Sequence, residues 1–314
     1  MPPLPNLHPV CHPVMTLRPS TVSLGLAACL MLIAAACGGE DIRTGGLEPT
    51  PIPGPPVVLV GAGDIGECGP LAGPEATALL LDQIEGTVFT AGDNAYPQGR
   101  AEDFKNCYEP WWGRHKGRTR PSPGNHDYET PGAAGYFAYF GSSAGPAGAG
   151  YYSYSAGDWM VLSLNSNIPV DRGSAQVQWM RGEVARAGNR CTAAYFHHPP
   201  FTSADRGESL YMRELWRELN AAGVDLVVAA HEHLYERFGP MNGNGEADRE
   251  RGSRLFVVGT GGGMLVPATR AAPNSEVRLV SFGVLKLTLS TRSYRWEFIR
   301  PGGGTADFGD DVCR

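Results

Sequence analysis

Val224-Asp225-Leu226-Val227-Val228-Ala229-Ala230-His231-Glu232-His233 runs from apolar to polar without a break. A short, nearly continuous apolar run reads as a strand covered on both faces, so a strand is predicted over Val224–Ala229. Imidazole and carboxylate follow at its carboxyl end. The same pattern recurs along the chain. Val57–Ala62 leads to Gly63-Asp64-Ile65-Gly66, Thr87–Ala91 to Gly92-Asp93-Asn94-Ala95-Tyr96, and Thr192–Phe196 to His197-His198-Pro199. A short segment also meets Gly124-Asn125-His126-Asp127. In open α/β sheets, ligands bind beyond the carboxyl ends of the strands. Here five such ends each present an oxygen or nitrogen donor. The glycines before Asp64, Asp93 and Asn125 are expected to allow unusual backbone angles and close approach to a metal.

The rest of the chain supports an α/β class. Trp159–Asn165, Leu255–Val258, Phe282–Leu289 and Tyr294–Ile299 also read as strands, and Pro74–Ile84, Ala175–Ala187 and Glu208–Ala222 as helices. Alternation predicts a mainly parallel sheet early, with antiparallel strands last. Gly132–Gly150 is Gly/Ala-rich and carries Tyr136, Phe137, Tyr139 and Phe140, which suggests a lid. The 314 residues include 42 Gly and 26 Pro, a turn-rich composition unlike that of a helical bundle. With 42 % hydrophobic residues the chain is not of the disordered class. A net charge of −6 without a Lys/Arg run gives no nucleic-acid-binding surface. Of eight histidines, His8 and His12 precede or lie in the leader; five of the other six fall in the strand-end loops.

The ordered set Gly-Asp-x-Gly, Gly-Asp-x-x-Tyr, Gly-Asn-His-Asp, His-x-Pro and His-x-His resembles the calcineurin-like metallophosphoesterases. Gly-Asp-x-x-Tyr and Ala230-His231-Glu232-His233-Leu234-Tyr235-Glu236-Arg237 resemble their purple acid phosphatase branch, with Ala230 in place of the usual Gly. The resemblance covers about residues 57 to 300. It implies a four-layer αββα sandwich with a dinuclear metal site at the carboxyl ends of strands.

Carried over by position, the resemblance gives two metals bridged by Asp93. One would take Asp64, Asp93, Tyr96 and His233, the other Asp93, Asn125, His197 and His231. Gly66 stands where many members have a histidine, and Tyr96 supplies the missing ligand. A phenolate is a hard anionic oxygen that favours Fe(III), so the expected pair is Fe(III) with Zn, Fe(II) or Mn(II). Two carboxylates and a phenolate against five positive charges leave about +2, enough to hold a phosphate dianion and acidify bound water. The implied activity is phosphomonoester hydrolysis by a metal-bridged hydroxide on a small phosphorylated substrate. The alternatives are a phosphodiesterase with the same metals and a surface protein that binds phosphorylated ligands without turnover. His126, tuned by Asp127, is the candidate that protonates the leaving group, and His198 is the second candidate. Alternation along an extended chain points His198 away from His197, so only His197 receives a ligand role. Arg237 reads equally as structural or as a phosphate contact. Gly259-Thr260-Gly261-Gly262-Gly263 lacks the Lys-Ser/Thr ending of a P-loop and reads as a tight turn near the metals. His115, beside Trp111 and Trp112, reads as packed against aromatics.

Residues 1–36 read as an export signal, with Arg18 before the apolar stretch Thr21–Ala36. Met15 is an alternative start. Ala34-Ala35-Ala36-Cys37 resembles a bacterial lipoprotein cleavage box, although Ala34 stands where Leu is usual; Leu26-Ala27-Ala28-Cys29 matches better in letters but leaves apolar chain after the cut. The expectation is an exported, periplasmic or cell-surface protein anchored through a lipid on Cys37, or alternatively secreted and soluble. Residues 37–56 form a Pro/Gly-rich tether, and 57–314 the catalytic domain. Cys68, Cys107, Cys191 and Cys313 remain, which allows three pairings in an oxidising compartment. The preferred pairing is Cys68–Cys107, joining neighbouring loops, and Cys191–Cys313, pinning the C-terminal tail.

Overall fold

The computed structural model describes residues 54–69, 73–205 and 209–314. The export signal and almost all of the tether lie outside the described residues. The apolar runs become strands of two sheets. Strands β1 (Val57–Ala62), β2 (Thr87–Ala91) and β3 (Thr119–Ser122) pair in parallel. On the other side β1 meets β11 (Val284–Ser290), β12 (Ser293–Ile299) and β13 (Thr305–Val312) in antiparallel succession. The second sheet has a parallel centre of β5 (Trp159–Ser163), β6 (Thr192–Tyr195), β7 (Leu226–Ala229) and β9 (Arg254–Val258). It is flanked antiparallel by β4 (Tyr152–Ala156) and by β8 (Tyr235–Phe238) with β10 (Ser275–Leu279). The helices are α1 (Gly73–Leu81), α2 (Ala101–Asp103), α3 (Asn125–Glu129), α4 (Ala134–Phe140), α5 (Ala175–Ala187) and α6 (Met212–Ala222).

Each run of the second sheet is apolar throughout because both faces are covered. Val161, Ala193, Tyr195, Val228, Phe256 and Val258 point into the layer between the sheets. Their neighbours Leu162, Ala194, Phe196, Val227, Leu255 and Val257 pack under α5 and α6. Aromatic pairs lock the sheets face to face: Tyr235 stacks on Phe298 at 4.0 Å, and Phe89 meets Tyr195 at 5.6 Å. Ala78, Leu81, Phe104, Tyr108, Tyr136 and Phe140, from α1, α4 and the turn after α2, extend that core on the first sheet's side. The expected αββα order is therefore present.

Several boundaries differ from the sequence reading. The strand predicted from Val224 starts at Leu226, because Val224 N–H still bonds to Leu219 O at the end of α6. The helix predicted from Glu208 begins at Met212, with Glu208 itself outside the described residues. Strands β3, β4, β8, β10 and β13 went unpredicted; β10 and β13 are partly exposed edge strands without an apolar run. The lid expectation is overturned. Gly132–Gly150 contains α4, whose Phe140 is buried against Phe104 and Tyr108 and whose Tyr136 is buried against Phe140, so its aromatic face is committed to the core. Cys68–Cys107 and Cys191–Cys313 are both bonded.

Candidate metal centre

The strand-end loops turn sharply at the candidate ligands themselves. Asp64, Asp93 and His231 take φ of 58°, 49° and 67°, three of the five non-glycine left-handed residues among the described residues. Such backbone costs of order 1–3 kcal/mol per residue and persists only where surroundings fix it. Here Asp64 N–H bonds to Gly92 O at 3.0 Å and Gly263 N–H to Asp64 O at 2.8 Å. Asp64 Oδ2 accepts His231 N–H, and Asp93 Oδ1 accepts His126 N–H, each at 2.8 Å. The glycine expectation is met differently. Gly92 is left-handed, but Gly63 and Gly124 serve close approach: a Cβ would lie 2.4 Å from the Ala230 methyl and 2.2 Å from Asp93 Oδ1, respectively.

These turns bring all seven predicted ligands together. The Tyr96 hydroxyl donates to Asp64 Oδ1 at 2.8 Å and lies 3.2 Å from both Asp93 Oδ2 and His233 Nε2. His197 Nε2 lies 3.0 Å from Asn125 Oδ1, 3.1 Å from His231 Nδ1 and 3.2 Å from Asp93 Oδ2. Asp93 stands between the two groups. The outward nitrogens are held by carbonyls, His197 Nδ1 by Ala91 O at 2.9 Å and His233 Nδ1 by Met264 O at 2.7 Å. Those bonds aim each Nε2 inward, as an imidazole ligand requires.

The charges face each other in a buried space. Burial alone would raise the Asp64 carboxyl, but His233, and then His197 and His231, hold it below the usual range. His197 is pushed up to about 9: burial opposes its charge, and the Asp93 and Asp64 carboxylates outweigh that. Burial, then Asp64 and Asp93, drives the Tyr96 phenol well above its ordinary value. Carboxylate, phenol and imidazole donors converge, and those of Asp64, Asp93 and His197 lie within 4.8 Å of one another. This oxygen and nitrogen set suits Fe, Zn or Mn, so the residues fit a resident metal pair.

The outer residues bring corrections. Asp127 does not tune His126. Its buried carboxylate accepts Gly124 N–H at 2.8 Å and the Asn94 amide at 2.9 Å, clamping the Asp93 and Asn125 loops together. Burial, and then Asp93, pushes Asp127 up to about 7. His126 Nδ1 bonds to Pro97 O at 2.6 Å, and its Nε2 is 3.9 Å from Asp93 Oδ2. His198 is not turned away: its ring lies 4.9 Å from His197 and 4.7 Å from His231. The strand ends at Tyr195, so alternation no longer applies there. Ser166 Oγ holds His198 Nδ1 at 2.8 Å, and burial, with His197 and His231, pushes this imidazole down to about 2. Asn94 and Ser166 were missed because each acts through a side chain more than 30 positions away in sequence, Asp127 and His198 respectively. Arg237 is structural, binding Asp307 at 2.7 Å and also Glu276. The Gly259–Gly263 turn packs on the centre as expected: a Cβ at Gly259 would lie 2.6 Å from Asp64 Oδ2. His115, expected against aromatics, instead has Asp82 at 3.1 Å and Arg118 at 3.2 Å as its partners.

Comparison with known proteins places this geometry. A model of the calcineurin-like phosphoesterase family matches residues 53–235. Purple acid phosphatase 21 of Arabidopsis thaliana is 27 % identical, covering 82 % of this chain and 63 % of its own. An uncharacterised protein of Mycobacterium tuberculosis is 30 % identical, over 49 % of this chain and 36 % of its own. The chain thus spans less than two thirds of these relatives' length. The purple acid phosphatase from yellow lupin (Lupinus luteus) seeds shares the fold, with TM-score 0.66 and 19 % identity over 82 % of this chain and 54 % of that one. GAP50, the anchor in the inner membrane complex of Plasmodium, shares it with TM-score 0.65 and 15 % identity over 83 % and 90 %. The chain belongs to the calcineurin-like phosphoesterase family, in its purple acid phosphatase branch.

Proposed function

We propose that the protein is a phosphoric ester hydrolase acting on small phosphomonoesters, with Fe(III) and a divalent Zn, Fe or Mn as its metals. The observation that carries this reading is the Tyr96 hydroxyl within 3.2 Å of Asp64, Asp93 and His233. Asp64, Asp93, Tyr96 and His233 would hold one ion, and Asp93, Asn125, His197 and His231 the other. When bound, the pair supplies Lewis-acid activation of a phosphoryl oxygen and of the attacking water. His126 holds the proton for the leaving oxygen: Pro97 O occupies its Nδ1, its Nε2 lies 3.9 Å from Asp93 Oδ2 at the centre, and its side chain is 34 % exposed. His198 orients the bound ester from a ring fixed by Ser166. Asp127 positions Asn125 and Asp93 through the loop clamp. The two disulfides fit an exported protein, anchored at the cell surface through Cys37.

The test compares p-nitrophenyl phosphate with bis(p-nitrophenyl) phosphate on metal-replete protein. Faster monoester turnover is expected; faster diester turnover would make it a phosphodiesterase, and none on either would leave a ligand-binding protein. A visible tyrosinate–Fe(III) band, lost in Tyr96→Phe, is the expected metal signature. A colourless, active, all-zinc or all-manganese protein would overturn that assignment.

A further inference from the structure

Leu210, Tyr211 and Met264 are exposed by 74 %, 49 % and 65 %, although all three are large and apolar. Tyr211 and Met264 lie in segments that reach the metal centre, and Leu210 directly precedes Tyr211. Met264 supplies the carbonyl that holds His233 Nδ1. The Tyr211 ring sits 5.9 Å from the His198 ring, which in turn lies 4.7 Å from His231. The Tyr211 hydroxyl donates to Ser166 O at 3.3 Å, and the same serine fixes His198. The phenol is therefore tethered at its tip while its ring stays half exposed. A fixed aromatic face loses little conformational freedom when it binds a partner. A fixed, half-exposed ring beside a polar centre offers a surface for an apolar group.

We infer that the Tyr211 ring forms an apolar rim that receives the organic group of the phosphate ester, so that aryl and other apolar esters are preferred over small polar ones. The word substrate rests on the hydrolase reading above; the rim itself does not. Arg213 follows in the same segment, but its guanidinium lies over Phe201 at 4.2 Å, so the group expected at this rim is neutral and apolar.

The test is calorimetric binding of benzylphosphonate and methylphosphonate to metal-loaded protein, with turnover of 1-naphthyl phosphate and glycerol phosphate followed alongside. A buried ring contact predicts benzylphosphonate about tenfold tighter. Tyr211→Ala brings this ratio close to one, and Tyr211→Phe, which keeps the ring, retains most of it. A wild-type ratio near one, or a ratio unchanged in Tyr211→Ala, overturns the inference. Equal loss in Tyr211→Phe also overturns it, since the tether to Ser166 would then be the cause. If no ester is hydrolysed but the benzyl preference holds, the hydrolase reading fails and the rim stands. If esters are hydrolysed without that preference, the reverse holds.

Discussion

Strands β6 and β7 carry polar residues at both ends, and the two ends treat them in opposite ways. At the amino end, Asp225 accepts Thr192 N–H and Arg314 N–H, each at 2.8 Å, and Cys191–Cys313 ties the tail in place. Donor meets acceptor, and the end is closed. At the carboxyl end, His197 Nε2 faces Asn125 Oδ1, His231 Nδ1 and Asp93 Oδ2 within 3.2 Å. One nitrogen cannot satisfy three such partners, since an imidazole nitrogen carries at most one proton. The same pair of strands thus ends in a finished hydrogen-bond network on one side and in a convergent donor set suited to cations on the other.

Four experiments sharpen that contrast, from the largest expected effect down. Asp93→Ala removes the group between both ligand sets. Activity should fall by at least about 10²–10³-fold, with metal content by elemental analysis falling too. Full metal content in that variant would break the assignment of Asp93 as the bridge. At the closed end, Cys191→Ser with Cys313→Ser should lower stability by about 2–5 kcal/mol, read in denaturant melts, with turnover per folded molecule retained. Asp127→Asn keeps the shape of the loop clamp but loses acceptor capacity; a drop of about 10–100-fold in metal affinity or activity is expected. The smallest effect is at His115, far from both ends in sequence. Burial, and then Arg118, lower its pKa below 6.5, so the unfolded chain binds a proton more readily than the folded one. Stability from this group is present above pH 6.5 and is lost as pH falls through the lowered value. His115→Gln should flatten the melting-temperature slope below pH 6.5; an unchanged slope would remove His115 from the account of acid stability.

The Ala230–Arg237 motif shows how much was legible in the sequence. His231 and His233 were readable as ligand candidates because five of the six histidines beyond the leader fall in strand-end loops, in the order of the family's motifs. Glu236 and Arg237, equally conspicuous as letters, serve the fold: Glu236 takes Ser203 N–H at 2.8 Å and Ser275 Oγ at 2.6 Å, while Arg237 pairs with Asp307. Asp307 lies 70 residues away on an edge strand with no apolar run, so nothing local announces the pairing. The orientation of His198 differs from the expected one for a related reason. Alternation is a property of extended chain, and the extended chain stops at Tyr195.

By itself, the sequence determined the sheet strands that are buried on both faces, the five strand-end loops and the seven donors in them. Those features are local: apolar runs need two covered faces, and the donors follow them within a few residues in the order of the motifs that carry the family resemblance. Only the tertiary structure decided that Asp64, Asp93 and His231 bear the left-handed turns. It also decided that Asp127 clamps loops rather than tuning His126, and that the aromatic residues of α4 pack into the core. Each of these depends on which distant backbone atoms come within hydrogen-bond or contact distance, and long-range packing fixes that.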